Sequence, residues 1–199
     1  MKKIVVFGGS FNPPLISHFS LAEGLLNERE DVEKIIFMPV SKAYSKAELI
    51  ENEHRFNMLN LVCEKNPKFE VSNIELNYEV QLYTIETLYL IKQKYPDYEI
   101  CFTIGTDNVK ELETWKNAED LLDKYKVFVF ERGEDKLEDI IDNNNFLKKH
   151  EKSIVKLGNI VKTNLSSTYV RNLIKNKKSI KYLTEEEIIN YIKRENLYA

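Results

Sequence analysis

The run Gly8-Gly9-Ser10-Phe11-Asn12-Pro13-Pro14 follows the apolar stretch Ile4-Val5-Val6-Phe7 directly, and His18 comes four residues later. A strand that breaks at two glycines and resumes as a helix turns its backbone N–H groups, and the positive end of the helix dipole, toward one point. Such a junction binds anions, phosphate above all. An imidazole near the helix start can donate to the same anion. Far along the chain, Ser166-Ser167-Thr168 opens a second helical pattern, with Arg171 one turn on. Ser167 and Arg171 share a face, rotated away from the apolar stripe of Val170, Leu173 and Ile174. Hydroxyls at a helix start followed by a guanidinium suit a phosphate chain, although an N-cap and a solvated arginine would look the same. Neither common phosphate loop is present: the Gly-Lys-Ser/Thr ending and the Gly-x-Gly-x-x-Gly fingerprint are both missing. No Ser-His-Asp or Cys-His set appears. His54 and His150 have no carboxylate at metal-ligand spacing and are expected at the surface or as caps.

The elements that must carry these residues alternate. Strand-like apolar runs fall at 4–7, 34–38, 69–72, 100–104, 127–130 and 154–157, with helix-period segments at 19–27, 54–64, 84–94 and 137–141. This β-α alternation predicts an α/β fold, a doubly wound parallel sheet with helices on both faces. Ligands of such sheets sit beyond the carboxyl ends of the strands, where the strand order reverses. The glycine turn and Gly105-Thr106-Asp107 both follow strands and so are expected at one crevice. Near the C-terminus Thr184 and Glu187 have the spacing of a capping box, with Leu183 and Ile188 as its hydrophobic staple. The polar stretch 139–152 keeps Ile140, Ile141, Phe146 and Leu147, which a linker would lack.

The chain has 199 residues, which predicts a single domain, 1–199, burying about 70% of its extended-chain surface. Its 29 Lys and Arg against 32 Asp and Glu leave a net charge of −3. No overall basic field draws nucleic acid, so anion sites must be local. Cys63 and Cys101 alone make no disulfide framework, and no apolar stretch approaches the ~20 residues of a membrane span. Met1-Lys2-Lys3-Ile4 runs directly into a strand and turn, too short for the apolar region of a signal segment, so none is expected. A reduced, cytoplasmic setting is expected.

The glycine segment resembles the signature of the adenylyl- and cytidylyltransferases, Gly-Ser/Thr-Phe-Asp/Asn-Pro followed by His/Thr-x-Gly-His. Three more blocks are similar, in order, to those of the nicotinate and nicotinamide mononucleotide adenylyltransferases: Tyr83-Thr84-Ile85-Glu86-Thr87-Leu88, Ile104-Gly105-Thr106-Asp107-Asn108 with Trp115, and Ser166-Ser167-Thr168-Tyr169-Val170-Arg171. The likeness covers nearly the whole chain. Two departures stand out. The tetrad reads Leu15-Ile16-Ser17-His18, and Lys116 follows Trp115 where the resemblance would place an aromatic. Leucine offers no donor to a phosphate oxygen, and losing one preorganised donor costs roughly 100- to 1,000-fold in rate.

The resemblance implies a Rossmann-like fold with C-terminal helices, and transfer of the adenylyl group of ATP to a pyridine mononucleotide in NAD biosynthesis. It implies His18 and Arg171 as catalytic phosphate ligands. It places Gly8, Gly9, Ser10, Phe11, Gly105, Asp107, Ser166, Ser167 and Thr168 with them around ATP, and Asn12, Lys46, Tyr83, Thr84 and Trp115 around the mononucleotide. Trp115 would stack on the pyridine ring; as the only tryptophan it could equally fill core. Pro39-Val40-Ser41-Lys42-Ala43-Tyr44-Ser45-Lys46 is similar to a segment of the nicotinamide enzymes, with Lys42 in place of an Asp; Lys46 reaches a phosphate or stays solvated. Mg²⁺ is implied through ATP phosphates and water, with no protein metal-ligand set. The implied partners are ATP and the mononucleotide, without nucleic acid or membrane; homo-oligomerisation is open. Two other readings remain: a degenerate member that binds nucleotide with little or no turnover, motivated by Leu15 and Ser17, and a sister transferase acting on another phosphorylated substrate.

Overall fold

The computed structural model describes residues 1–43, 49–158, 160, 161 and 163–199. Six strands form one sheet: β1 (Lys3–Gly9), β2 (Val32–Pro39), β3 (Phe69–Val71), β4 (Glu99–Gly105), β5 (Lys126–Phe130) and β6 (Ile154–Lys156). All five pairings are parallel, and the order is β3-β2-β1-β4-β5-β6. The order reverses between β1 and β4, as the alternating pattern predicts for a doubly wound sheet. Strands buried on both faces read as continuous apolar runs rather than alternating ones, and each expected run lies within or across an observed strand.

Alternate residues feed two cores. Val5, Phe7, Ile35, Phe37, Cys101 and Phe128 pack with α1 (Ile16–Glu28) and α2 (Asn52–Cys63). On the other face Ile4, Val6, Ile36, Phe102, Val127 and Val129 meet α3 (Thr84–Lys94), α4 (Thr106–Val109), α5 (Ala118–Lys124), α6 (Leu137–Asp142) and α7 (Asn145–Lys149). The segment 139–152 thus falls into α6, α7 and a short 3₁₀ turn, its apolar residues seated on this second core. The C-terminal helices α8 (Ser167–Lys175) and α9 (Glu186–Arg194) return to the first face through Val170, Ile188, Tyr191 and Ile192.

Two local expectations are corrected. Thr184 does not cap the last helix: α9 begins at Glu186 with Glu185 in the cap position, and no side chain caps it. The Thr184 hydroxyl instead donates to the Pro14 carbonyl, 2.8 Å away and buried. With the helix start displaced, Leu183 and Ile188 lose the spacing of a staple. Of the two places expected for His150, the surface one is wrong and the capping one holds: it is 5% exposed and forms the C-cap of α7, with Nδ1 2.9 Å from the Phe146 carbonyl and its ring against Phe146. The i, i+4 spacing to an aromatic carried that signal.

Candidate active site

Gly8 and Gly9 close β1 beside β2, with Gly9 opposite Pro39, while Phe7 faces Thr103 of β4. After Ser10 the chain turns at Phe11, whose φ of 47° is a region bulky residues rarely adopt. Its ring is buried and folds back over Gly9, where a Cβ would come within 3.0 Å of it. The same ring lies edge-on to Phe7, Phe37 and His18, so the glycine makes the space that lets one aromatic fix the histidine.

His18 is held from a second side. The Leu15 N–H donates to its Nδ1 at 2.9 Å, which puts the ring proton on Nε2. Burial, and next the charge of Arg132, lowers its pKa from 6.5 to about 4, so the ring is neutral near pH 7. Leu15 contributes this backbone donor while its side chain is 1% exposed among the first core's apolar residues. Ser17 is buried as well.

The C-terminal segment clasps the turn from behind. Ser166 caps α8 by accepting from the Tyr169 N–H, which leaves Ser167 and Arg171 on one face, as their spacing predicts. The Ser167 hydroxyl donates to the Pro13 carbonyl at 2.9 Å, and Arg171 Nη1 donates to the Asn12 carbonyl at 2.9 Å. The Tyr198 hydroxyl donates to Asn12 Oδ1 at 2.8 Å, and the Ile16 N–H to the Leu183 carbonyl at 3.1 Å. From below, the fully buried Arg55 donates to the Ser10 carbonyl at 3.1 Å and to Asn52 Oδ1 at 2.6 Å. Asn52 Oδ1 also accepts from the Lys42 N–H.

Two cavities meet over the turn. One, about 660 Å³, is bordered by Gly8, Gly9, Ser10, Phe11, His18, Asp107, Arg132 and Ser166–Thr168. The other, about 480 Å³, is bordered by Gly8, Gly9, Ser10, Glu75, Tyr83, Thr84, Gly105, Trp115, Lys116 and Arg132. Nearly all the expected ATP-contacting residues thus gather at the first. Tyr83, Thr84 and Trp115 of the mononucleotide set gather at the second, although Trp115 also leans on the second core. Asn12 and Arg171 stand just behind the turn and border neither cavity. Lys46 lies outside the described residues. Asp107 occupies the first turn of α4 but is not its cap, a position taken by Gly105; it pairs with Arg132, Nη1 to Oδ2 at 3.2 Å.

Residue spacing did not disclose Arg55, Glu75 or Arg132. Arg55 sits inside an ordinary amphipathic segment. Glu75 accepts from the Thr87 hydroxyl at 2.7 Å, and burial raises its pKa to about 6 despite that bond. Arg132 follows β5, and its place just beyond a strand's carboxyl end, like that of Gly8 and Gly105, was the available signal.

The cytidylyltransferase-like family model matches residues 6–173. A protein of Lachnoclostridium phytofermentans named "Probable nicotinate-nucleotide adenylyltransferase" is 34% identical, covering 100% of both chains. One of the same name from Fusobacterium nucleatum is 36% identical, covering 97% of this chain and 98% of its own. Among solved structures, the Plasmodium falciparum nicotinic acid mononucleotide adenylyltransferase complexed with NaAD superposes with a TM-score of 0.78 at 21% identity, covering 100% of this chain and 98% of that one. At that identity the likeness bears on the fold alone.

Proposed function

The chain belongs to the cytidylyltransferase-like family, among relatives named as nicotinate-nucleotide adenylyltransferases, and we propose that it joins the adenylyl group of ATP to nicotinate or nicotinamide mononucleotide. The observation that carries this reading is the meeting of two cavities, one bordered by Gly8–Phe11, His18 and Ser166–Thr168 and one by Tyr83, Thr84 and Trp115, over a single glycine turn.

In the reaction, an oxygen of the mononucleotide's 5′-phosphate attacks the α-phosphorus of ATP. The new P–O bond forms as the bond to the bridging oxygen breaks, and pyrophosphate leaves with that electron pair. The nucleophile is already anionic at neutral pH, so alignment and charge stabilisation suffice without a general base. The amides of Gly9 and Ser10 and the Nε2–H of His18 meet the phosphates. Ser166–Thr168 approach the β- and γ-phosphates from the α8 wall, and Arg171 braces that wall against the turn through the Asn12 carbonyl. Trp115 stacks on the pyridine ring beside the start of α3, and residues 1–199 act as one catalytic unit, because α8 and α9 hold the turn that β1 begins.

Nucleotidyltransferases of this family generally use a divalent metal. Among the described residues no three His, Cys, Asp or Glu side chains gather to hold one; Mg²⁺ would be carried on phosphate oxygens and water. Asp107 is the carboxylate that would meet its water shell, and the ion would neutralise phosphate charge.

The test is pyrophosphate release from ATP with each mononucleotide. Turnover with either supports transfer. A folded protein that binds ATP and turns over neither would favour the second reading, a nucleotide-binding member without catalysis, to which the burial of Leu15 in the tetrad's first position points.

A further inference from the structure

The first residue of the tetrad places no polar group at the triphosphate. The Leu15 side chain is buried in apolar surroundings, so a donor expected beside His18 is missing. The reacting atoms must lie where the two cavities join, since the new bond links one substrate from each. Among the described residues that border both cavities, Arg132 alone carries a charge.

Its placement is built. The Arg132 N–H donates to the buried Thr106 hydroxyl at 3.0 Å, which ties the end of β5 to the end of β4. The guanidinium lies over the Phe130 ring, 5.1 Å from its centroid, and meets Asp107 at 3.2 Å. Gly105 makes room for it: a Cβ there would stand 3.0 Å from both Cδ and Nε of Arg132. The side chain is 53% exposed and borders both cavities. A planar fork of N–H groups matches phosphoryl oxygens better than a point charge does.

We propose that Arg132 is a catalytic residue that binds the α-phosphoryl oxygens as charge shifts to the leaving pyrophosphate, supplying the donor that position 15 lacks. Asp107 orients the guanidinium before the nucleotide arrives. The inference rests on the adenylyl-transfer reading, and the experiment separates the two: no turnover by the unaltered enzyme with either mononucleotide would sink that reading, whatever Arg132 does.

Steady-state kinetics are measured for the unaltered chain, Arg132→Met, Arg132→Lys, Leu15→His and the Leu15→His/Arg132→Met pair, with folding followed by circular dichroism. Arg132→Met is expected to lower kcat by about 100-fold, with KM for both substrates within a few fold, the mark of a contact made in the transition state. Arg132→Lys should recover part of the loss. Leu15→His should raise kcat of Arg132→Met by at least about tenfold and by more than it raises that of the unaltered enzyme, a non-additive pair. An unchanged kcat in Arg132→Met, or a loss confined to KM, overturns the assignment. A strictly additive double variant overturns the exchange of one donor for the other.

Discussion

With Nδ1 occupied by the Leu15 amide, the phosphate contact proposed for His18 falls to Nε2–H, a neutral donor because burial lowers the ring's pKa to about 4. His18→Ala should lower kcat by about 100- to 1,000-fold while ATP KM moves little, measured by pyrophosphate release. The same shift has a stability sign. Between pH 6.5 and 4 the unfolded chain takes up a proton that native His18 refuses, so stability is complete above the unfolded pKa and declines as pH falls through that window. Urea unfolding of His18→Gln should show a shallower loss between pH 7 and 4.5 than the unaltered chain. Gly9 tests the ring that holds the histidine. A methyl at Gly9 would press on the buried Phe11 ring at 3.0–3.3 Å, and a ring confined by Phe7 and Phe37 has little room to yield. Gly9→Ala is therefore expected to cost about 1–3 kcal/mol in denaturant unfolding and to lower kcat with it.

At the scale of elements, the turn after β1 is shaped by a helix pair more than 150 positions away in sequence. Arg171, Ser167, Thr184 and Tyr198 between them engage three successive residues, Asn12, Pro13 and Pro14. Tyr198→Phe removes one hydrogen bond, expected to be about 1 kcal/mol, and should shift the denaturation midpoint while leaving the secondary structure intact. What was legible divides along the same line. The six apolar runs were visible because both faces of a parallel strand are buried, so composition alone marks them. Ser167 and Arg171 were paired correctly because helical spacing is local. Thr184 was misassigned because a hydroxyl four residues before an apolar position can serve its own helix or a carbonyl 170 positions away, and only the packed chain decides. Arg132 had no motif around it, and its partners Asp107 and Thr106 sit on another strand's end.

For the molecule as a whole, the strand order concentrates chemistry at the β1–β4 reversal and leaves β3, three residues long, as one edge of the sheet. That edge is fastened by one carboxylate. Glu70 meets Lys34 of β2 at 2.7 Å, Lys94 of α3 at 2.9 Å and the Tyr95 hydroxyl at 2.7 Å, a convergence of the neighbouring strand and the helix packed on the second core. Partial burial alone would raise the Glu70 pKa, but bonds from Lys34, Lys94 and Tyr95 outweigh it and hold the group at about 2. A depressed carboxylate contributes stability that is present above its unfolded pKa of 4.5 and is lost as pH falls toward 2. Glu70→Gln keeps the shape and removes the charge, so it should destabilise the fold by about 1–3 kcal/mol at pH 7. The gap between the two proteins should close as the pH of the unfolding experiment is lowered below about 4. Glu70 borders neither cavity of the site, so pyrophosphate release at pH 7 and 25 °C should be nearly unchanged in Glu70→Gln. A gap that persisted at pH 2–3 would mean that packing, rather than the three donors, is what the glutamate supplies.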